Sequence, residues 1–426
     1  MLTTQLQISN QSPETLKNIQ AQVQQRYQQL KSEGLSLDLT RGKPASDQLD
    51  LSNQLDGILE GDYSSAGPDV RNYGDVWGIP EARRLGAEIM GTKSEEILTG
   101  GNASLTLMFF AVQYHMNKGW NGPESAWSKN PNAKMIFPVP GYDRHFTICE
   151  TLGLDMVTVP MTKDGPDMDA VEELVRTDPD VIGLWGVPKY SNPTGCVYSE
   201  EVVERIAALG TIANPNFKVL MDNAYAVHDL VYPAPPLANM MDAARRHGTE
   251  SSLWLFASTS KVTFSGGGIS WVASSTENLA HYAKYIVAAV IGFDRVNQLR
   301  HARMFPDMDA VTAHMKKHKD LIKPKFDVVL ETLGNELSQD FGTWNEPEGG
   351  YFVSFDAKPG LASIIIALAA DAGVKLTPAG SAFPYKQDPR DCNIRLAPTA
   401  PPLAEITKAI EVFAVCVQLA TLNSLV

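Results

Sequence analysis

Hydrophobic positions recur along this chain with two different periods, and the switching between them outlines the fold. After Ser12-Pro13, an N-cap followed by proline at the first helical position, Leu16, Ile19, Val23, Tyr27 and Leu30 repeat at helical spacing and Gly34 closes the pattern. Glutamines fill the opposite face, so an amphipathic helix packed on a body is predicted. From about Asn102 the periods alternate. Helical patterns at 105–115, 146–153, from Met168 and after Ser199 separate strand-like runs at 134–138, 155–160, 181–186 and 218–222. Val203, Ile206 and Leu209 share one face of the helix after Ser199, and Gly210 stops it. Further strand patterns fall at 253–257 and 269–273. Strands separated by helices predict an α/β fold with a mainly parallel sheet.

The second half reads differently. A long helical stretch runs from Met308 to Leu333, a glycine pair at 349–350 leads into a strand-like run ending at Phe355, and a helix covers 361–372. A strand at 393–397 and a last helix from Leu403 complete a smaller α+β domain. The N-terminal helix is expected to pack with it. The prediction is therefore a large domain over 60–320 and a discontinuous small domain made of 1–59 and 321–426. No internal repeat and no Gly-, Ser- or Pro-rich linker interrupts this organisation.

Composition adds exclusions. With 426 residues, 44% hydrophobic and 20% charged, the chain suits two packed domains and not a disordered polymer. A formal charge of −13 argues against nucleic acid or an anionic membrane as partner. Four scattered cysteines, Cys149, Cys196, Cys392 and Cys416, form no CxxC pair, which argues against a disulfide framework or a zinc site. The opening MLTTQLQISNQSPETLKNIQ has no basic and apolar leader pattern, and the richest apolar runs are too short to span a bilayer. A cytoplasmic protein is expected.

Three strand ends carry candidate chemistry. Lys261, in Ser258-Thr259-Ser260-Lys261, lies between a strand and the turn Ser265-Gly266-Gly267-Gly268. A lysine that forms a Schiff base must reach a carbonyl and have a lowered pKa, while Ser258 and Ser260 offer hydroxyls to a phosphate. Asn192, in Ser191-Asn192-Pro193-Thr194-Gly195, follows the 181–186 strand, where open α/β sheets bind ligands. Asp222, with Tyr225 three residues on, ends the 218–222 strand; an aspartate there can keep a pyridine nitrogen protonated. Each alone has a plainer reading: a solvated lysine, a turn, a helix N-cap. Their order, each after its own strand, favours one shared cofactor.

With those residues in place the sequence resembles the class I, fold type I aminotransferases dependent on pyridoxal 5'-phosphate, over nearly its whole length. Asn192-Pro193-Thr194-Gly195 resembles the family's NPTG turn, Asp222 with Tyr225 its D-x-x-Y, and Ser258 to Lys261 its S-x-S-K. Asn393-Ile394-Arg395 is similar to its late N-x-R, whose arginine grips the substrate α-carboxylate. The resemblance implies Lys261, Asp222 and Tyr225 as catalytic residues, with Lys261 as cofactor anchor and proton carrier. It implies Asn192 and Tyr225 at the cofactor's ring oxygen, and Asn102, Ala103 and Ser104 as a phosphate loop opening a helix. Tyr142 resembles the aromatic stacked on the cofactor ring, Tyr73 a tyrosine reaching the neighbouring subunit's phosphate, and Gly42 a glycine at the substrate carboxylate. A homodimer with shared active sites follows from the same resemblance.

One departure stands out: residues 262–270 contain no cation, where the family carries one to pair with the phosphate. The wording of 39–44, 100–104 and 296–301 resembles subgroup Ic of the aspartate aminotransferases, implying aspartate and 2-oxoglutarate as substrates. A distal carboxylate needs a second cation, for which Lys43, Arg41, Arg295 and Arg300 are candidates. Aromatic or other neutral amino acids, or a lyase reaction on the same cofactor, are the alternatives. A transcriptional regulator is rejected, because the stretch before Gly42 holds one amphipathic helix and no helix-turn-helix.

Overall fold

The computed structural model describes residues 6–9, 11–120 and 122–426; part of the opening segment read for a leader thus lies outside the described residues. Its largest sheet has eight strands in the order Ile97–Gly100, Ser270–Ala273, Leu253–Ser258, Lys218–Asp222, Val181–Gly186, Lys134–Val139, Asp155–Thr162 and Gly165–Pro166. The five from Leu253–Ser258 to Asp155–Thr162 are mutually parallel. Ser270–Ala273 runs antiparallel to both its neighbours, so Ile97–Gly100 points the same way as the parallel set. The fold is α/β with a large, mainly parallel sheet and a smaller α+β domain, as the alternating pattern predicts.

Both faces of this sheet are covered, which explains why Val181–Gly186 is buried at every position instead of alternating. Phe137, Trp185, Leu220 and Phe256 enter the core on one side. Their neighbours Ile136, Leu184, Val219 and Leu255 enter the core on the other. Helices Ser104–Asn117 and Asp143–Leu152 cover the first face, and Pro80–Met90, Met168–Thr177, Glu200–Ala208 and Met240–His247 the second.

A third core holds the N-terminal and C-terminal parts together. Val23, Tyr27 and Leu30 of helix Pro13–Ser32 pack with Ile406 to Leu422 of helix Leu403–Leu425. Ser12 caps the first helix by accepting from Thr15 N–H. A three-stranded antiparallel sheet, Gly342–Trp344, Val353–Ala357 and Asn393–Leu396, lies in this core, and a short parallel ladder pairs Leu37–Asp38 with Val374–Lys375. The 29-residue helix Met308–Glu336 bridges the cores: Val311 and Met315 belong to the sheet, Ile322 to Leu333 to the terminal core.

Candidate active site

Five of the sequence-predicted groups follow the carboxyl ends of five strands that run in one direction. Asn102, Ala103 and Ser104 follow Ile97–Gly100, Tyr142 follows Lys134–Val139, and Asn192 follows Val181–Gly186. Asp222 ends its own strand with Tyr225 just beyond, and Ser260 and Lys261 follow Leu253–Ser258. Arg395 arrives from the other domain, on strand Asn393–Leu396, opposite Ser354. Between them opens a cleft of about 790 Å³ lined by Gly42, Tyr142, Asn192, Tyr225, Lys261 and Arg395, among others.

Lys261 opens onto this cleft, with its amine 4.7 Å from the centre of the Tyr225 ring. Burial pushes its pKa down, and the negative charge of Asp222 partly offsets the shift. Burial likewise pushes the Tyr225 phenol well up, so it stays protonated. Asp222 is 2% exposed. One carboxylate oxygen lies 3.1 Å from His145 Nε2, and the other is buried without a hydrogen-bond partner among the described residues. His145 is held in turn by stacking on Trp185, ring centres 4.5 Å apart. A buried carboxylate with one free oxygen, its charge felt by Lys261, suits a cationic N–H donor, which is the chemistry of a protonated pyridine nitrogen.

Arg395 is loosely held. Its Nη1 lies 3.2 Å from Asn192 Oδ1 and 3.3 Å from Asp143 Oδ1, its Nη2 3.5 Å from Thr377 Oγ1, and its buried Nε has no partner. The guanidinium sits 4.9 Å from the centre of the Phe352 ring. These long contacts leave the fork free to take a carboxylate in bidentate fashion. Gly42 is required beside it, since a Cβ there would run into the Phe352 ring.

The Gly100–Ser104 segment meets the Ser258–Lys261 turn. Ser260 Oγ donates to Asn102 O at 2.7 Å and lies 3.0 Å from Ser258 Oγ. Helix Ser104–Asn117 starts here, and its N-cap Ala103 has no side chain to satisfy the first amides. Uncapped N–H groups beside two hydroxyls form an anion cradle at the positive end of a helix. Tyr73 is not brought into the cleft. It is 82% exposed and borders a separate hollow with Arg295, whose Nη1 lies 3.3 Å from Tyr73 O.

Of the four cations considered for a distal carboxylate, Arg41 and Lys43 line the cleft, whereas Arg295 and Arg300 do not. Arg144 and Lys386 line it too, and sequence reasoning passed over both. It also missed His145, Thr377 and Phe352. The spacing of Tyr142 and His145 on one helical turn was the available signal for His145, but a single histidine in an apolar helix ordinarily reads as core.

Comparison with known proteins bears on this site. The family described as aspartate amino-transferase matches residues 11–426. The chain belongs to that family. It is an aminotransferase, and its sequence is 45% identical over 401 residues to an aspartate aminotransferase of Corynebacterium glutamicum, covering 93% of this chain and 92% of that one. A crystal structure of an aspartate transaminase from the same species superposes with a TM-score of 0.93 at 42% identity, covering 99% of this chain and all of the other. An alpha-aminoadipate aminotransferase of Thermus thermophilus, solved with N-(5'-phosphopyridoxyl)-L-leucine, shares the fold with a TM-score of 0.74 at 20% identity, covering 92% of this chain and 94% of that one. Among the described residues no helix is long and apolar enough to cross a membrane.

Proposed function

We propose that this aminotransferase uses pyridoxal 5'-phosphate and moves the amino group between aspartate and 2-oxoglutarate, in two half-reactions at one site. The observation that carries the cofactor reading is the combination of a desolvated Lys261 amine on the cleft with a buried Asp222 whose charge reaches it and whose second oxygen is unclaimed. When bound, the cofactor supplies an electron sink that weakens the substrate Cα–H bond. The residues do the rest. Asp222, braced by His145, holds the ring nitrogen protonated, and Asn192 and Tyr225 hold the ring oxygen. Tyr142 covers the ring, while Ser258, Ser260 and the amides after Asn102 hold the phosphate. Arg395 and the Gly42 backbone orient the α-carboxylate. Lys261 would anchor the cofactor and, once released, would take the substrate Cα proton and hand it on, a role its lowered pKa suits.

Four cations at the cleft, Arg41, Lys43, Arg144 and Lys386, support the dicarboxylate preference, since none forms an ion pair among the described residues. These four outnumber the two carboxylates of the same cleft, Asp143 and Glu150, and favour an anionic substrate tail. The reading includes a homodimer in which Tyr73 serves the partner's phosphate site, and a cytoplasmic location. It also divides the chain into 60–320 and 1–59 with 321–426. Core membership supports such a division in outline but moves its N-terminal bound earlier: Leu55 and Leu59 join the core of the large sheet, so the exchange falls between Leu39 and Leu55, and on the other side within helix Met308–Glu336.

The test is an absorbance spectrum of protein loaded with pyridoxal 5'-phosphate, before and after L-aspartate, beside Lys261→Ala. A visible lysine-linked band that bleaches with aspartate and is missing from the variant is expected. A band that responds to another amino acid and not to aspartate would overturn the substrate; no band would overturn the cofactor.

A further inference from the structure

Lys261 and Val262 lie in one tight turn, in which the N–H groups of Val262 and Thr263 both return to Thr259 O, at 2.8 and 2.9 Å. The carbonyl oxygens of Lys261 and Val262 receive no main-chain N–H among the described residues. Side chains serve them instead. Tyr351 Oη and His228 Nε2 each lie 3.3 Å from Lys261 O, and His314 Nε2 donates to Val262 O at 2.8 Å.

A second layer braces these donors. Gln48 Nε2 donates to Tyr351 Oη at 3.0 Å and faces His318 Nδ1 at 3.2 Å, and His318 Nε2 lies 3.1 Å from His314 Nε2. Ala45 N–H donates to Gln48 Oε1 at 3.0 Å, which fixes which end of the amide points inward. Gln48, His314, His318 and Tyr351 are all buried. His318 therefore meets a donor at both nitrogens while carrying a proton of its own, so one of its two contacts lacks a hydrogen bond. A further proton would remove the remaining one, and burial, aided by His314 and opposed by a hydrogen bond to the Val262 backbone, pushes the His318 pKa down to about 4.

The Tyr351 ring also packs against Tyr225, centres 5.8 Å apart. The network thus runs from the short N-terminal helix Ser46–Asp50 and the glycine-led approach to strand Val353–Ala357 to the backbone of the anchor lysine. None of these groups lines the cleft; they reach it through the main chain of residues 261 and 262 and, for the Tyr351 ring, through Tyr225.

We propose that Tyr351 and His314, braced by Gln48 and His318, are positioning residues that fix the backbone from which Lys261 reaches its reacting atoms. The inference rests on the reading of Lys261 as the catalytic lysine. Reacting groups tolerate little error, since a displacement of about 1 Å can cost about a hundredfold in rate.

The experiment compares Tyr351→Phe, His314→Leu and His314→Gln in the holoenzyme, with amide hydrogen exchange of residues 259–265 measured separately on protein free of pyridoxal 5'-phosphate. Phenylalanine keeps the ring packing and removes only the hydroxyl, while glutamine at 314 retains a donor for Val262 O. Tyr351→Phe and His314→Leu should each lower kcat about tenfold with KM within about twofold, and should speed exchange across the turn. His314→Gln should recover most of both losses. Unchanged kcat and exchange in Tyr351→Phe and His314→Leu would overturn the proposal, as would equal losses in the two His314 variants. Faster exchange in the variants, with no visible band in loaded wild-type protein, would retain the positioning role and overturn the cofactor reading instead.

Discussion

Arg395 combines a part-buried position with weak commitments, and that combination makes its role testable by a single change of donor geometry. The nearest acceptors, Asn192 and Asp143, are met by the same Nη1, and Nε is left free. Arg395→Lys keeps the charge but removes the planar fork and much of the contact with Phe352. KM for both amino acid and oxo acid should rise about ten- to a hundredfold, with kcat changing less, because a uniform binding contact is lost. Steady-state kinetics with both substrates measure it, and an unchanged KM would remove Arg395 from the carboxylate site. Asn192, Asp222 and Lys261 were legible in the sequence because each lies at or just past the end of a clear hydrophobic run, and Arg395 because Asn393-Ile394-Arg395 resembles the family's N-x-R. His145 and Thr377 were not, because their relevance comes from what the fold places beside them: Asp222 in one case, Arg395 in the other.

At the level of elements, the junction that closes the small parallel ladder depends on Gly373. Its φ is +84°, its carbonyl accepts Leu37 N–H at 2.9 Å, and an added Cβ would run into the carbonyl oxygen of Leu35. Gly34 also has a positive φ, +65°, but open space around it. Gly34→Ala should therefore cost only the left-handed conformation, about 1 kcal/mol, and Gly373→Ala about 2 kcal/mol or more. Urea unfolding of the two variants side by side checks the difference, and equal losses would show that the close approach to Leu35 carries no weight. Strands Val181–Gly186 and Lys218–Asp222 coincide with the sequence pattern, since both faces of the sheet are buried and the apolar runs end sharply. Helices Pro80–Met90, Met240–His247, Thr276–Ile286 and Arg295–Met304 were not anticipated. Three carry arginine, lysine or histidine within short apolar stripes, and Arg295–Met304 has hardly any stripe, so tertiary packing decides them. The two-residue ladder was illegible for a related reason: its partners, Leu37 and Val374, are far apart in sequence, and two residues hold no period.

The molecule as a whole stores an unusual amount of neutral imidazole. Of its eight histidines, five are buried with pKa values pushed down chiefly by burial: His115, His228, His301, His314 and His318. For His301 and His318 the folded value is about 4, against about 6.5 in an unfolded chain. Between those values the unfolded state binds protons that the folded state refuses, so acidification favours unfolding. The stability is fully present above pH 6.5 and is lost as pH falls toward 4, each group contributing up to about 1.4 kcal/mol per pH unit. Surface carboxylates act in the same direction but lower down. Asp178 and Glu172, whose pKa values are lowered first of all by hydrogen bonds from Lys134 and Arg205, lose their contributions only below the ordinary carboxylate range near 4. The window from pH 6.5 to 4.5 therefore belongs to the histidines. The urea midpoint of the protein should fall steeply from pH 6.5 to 5. A midpoint flat down to pH 5 would mean that these imidazoles accept protons in place, and that the network behind Lys261 is wetter than its geometry implies.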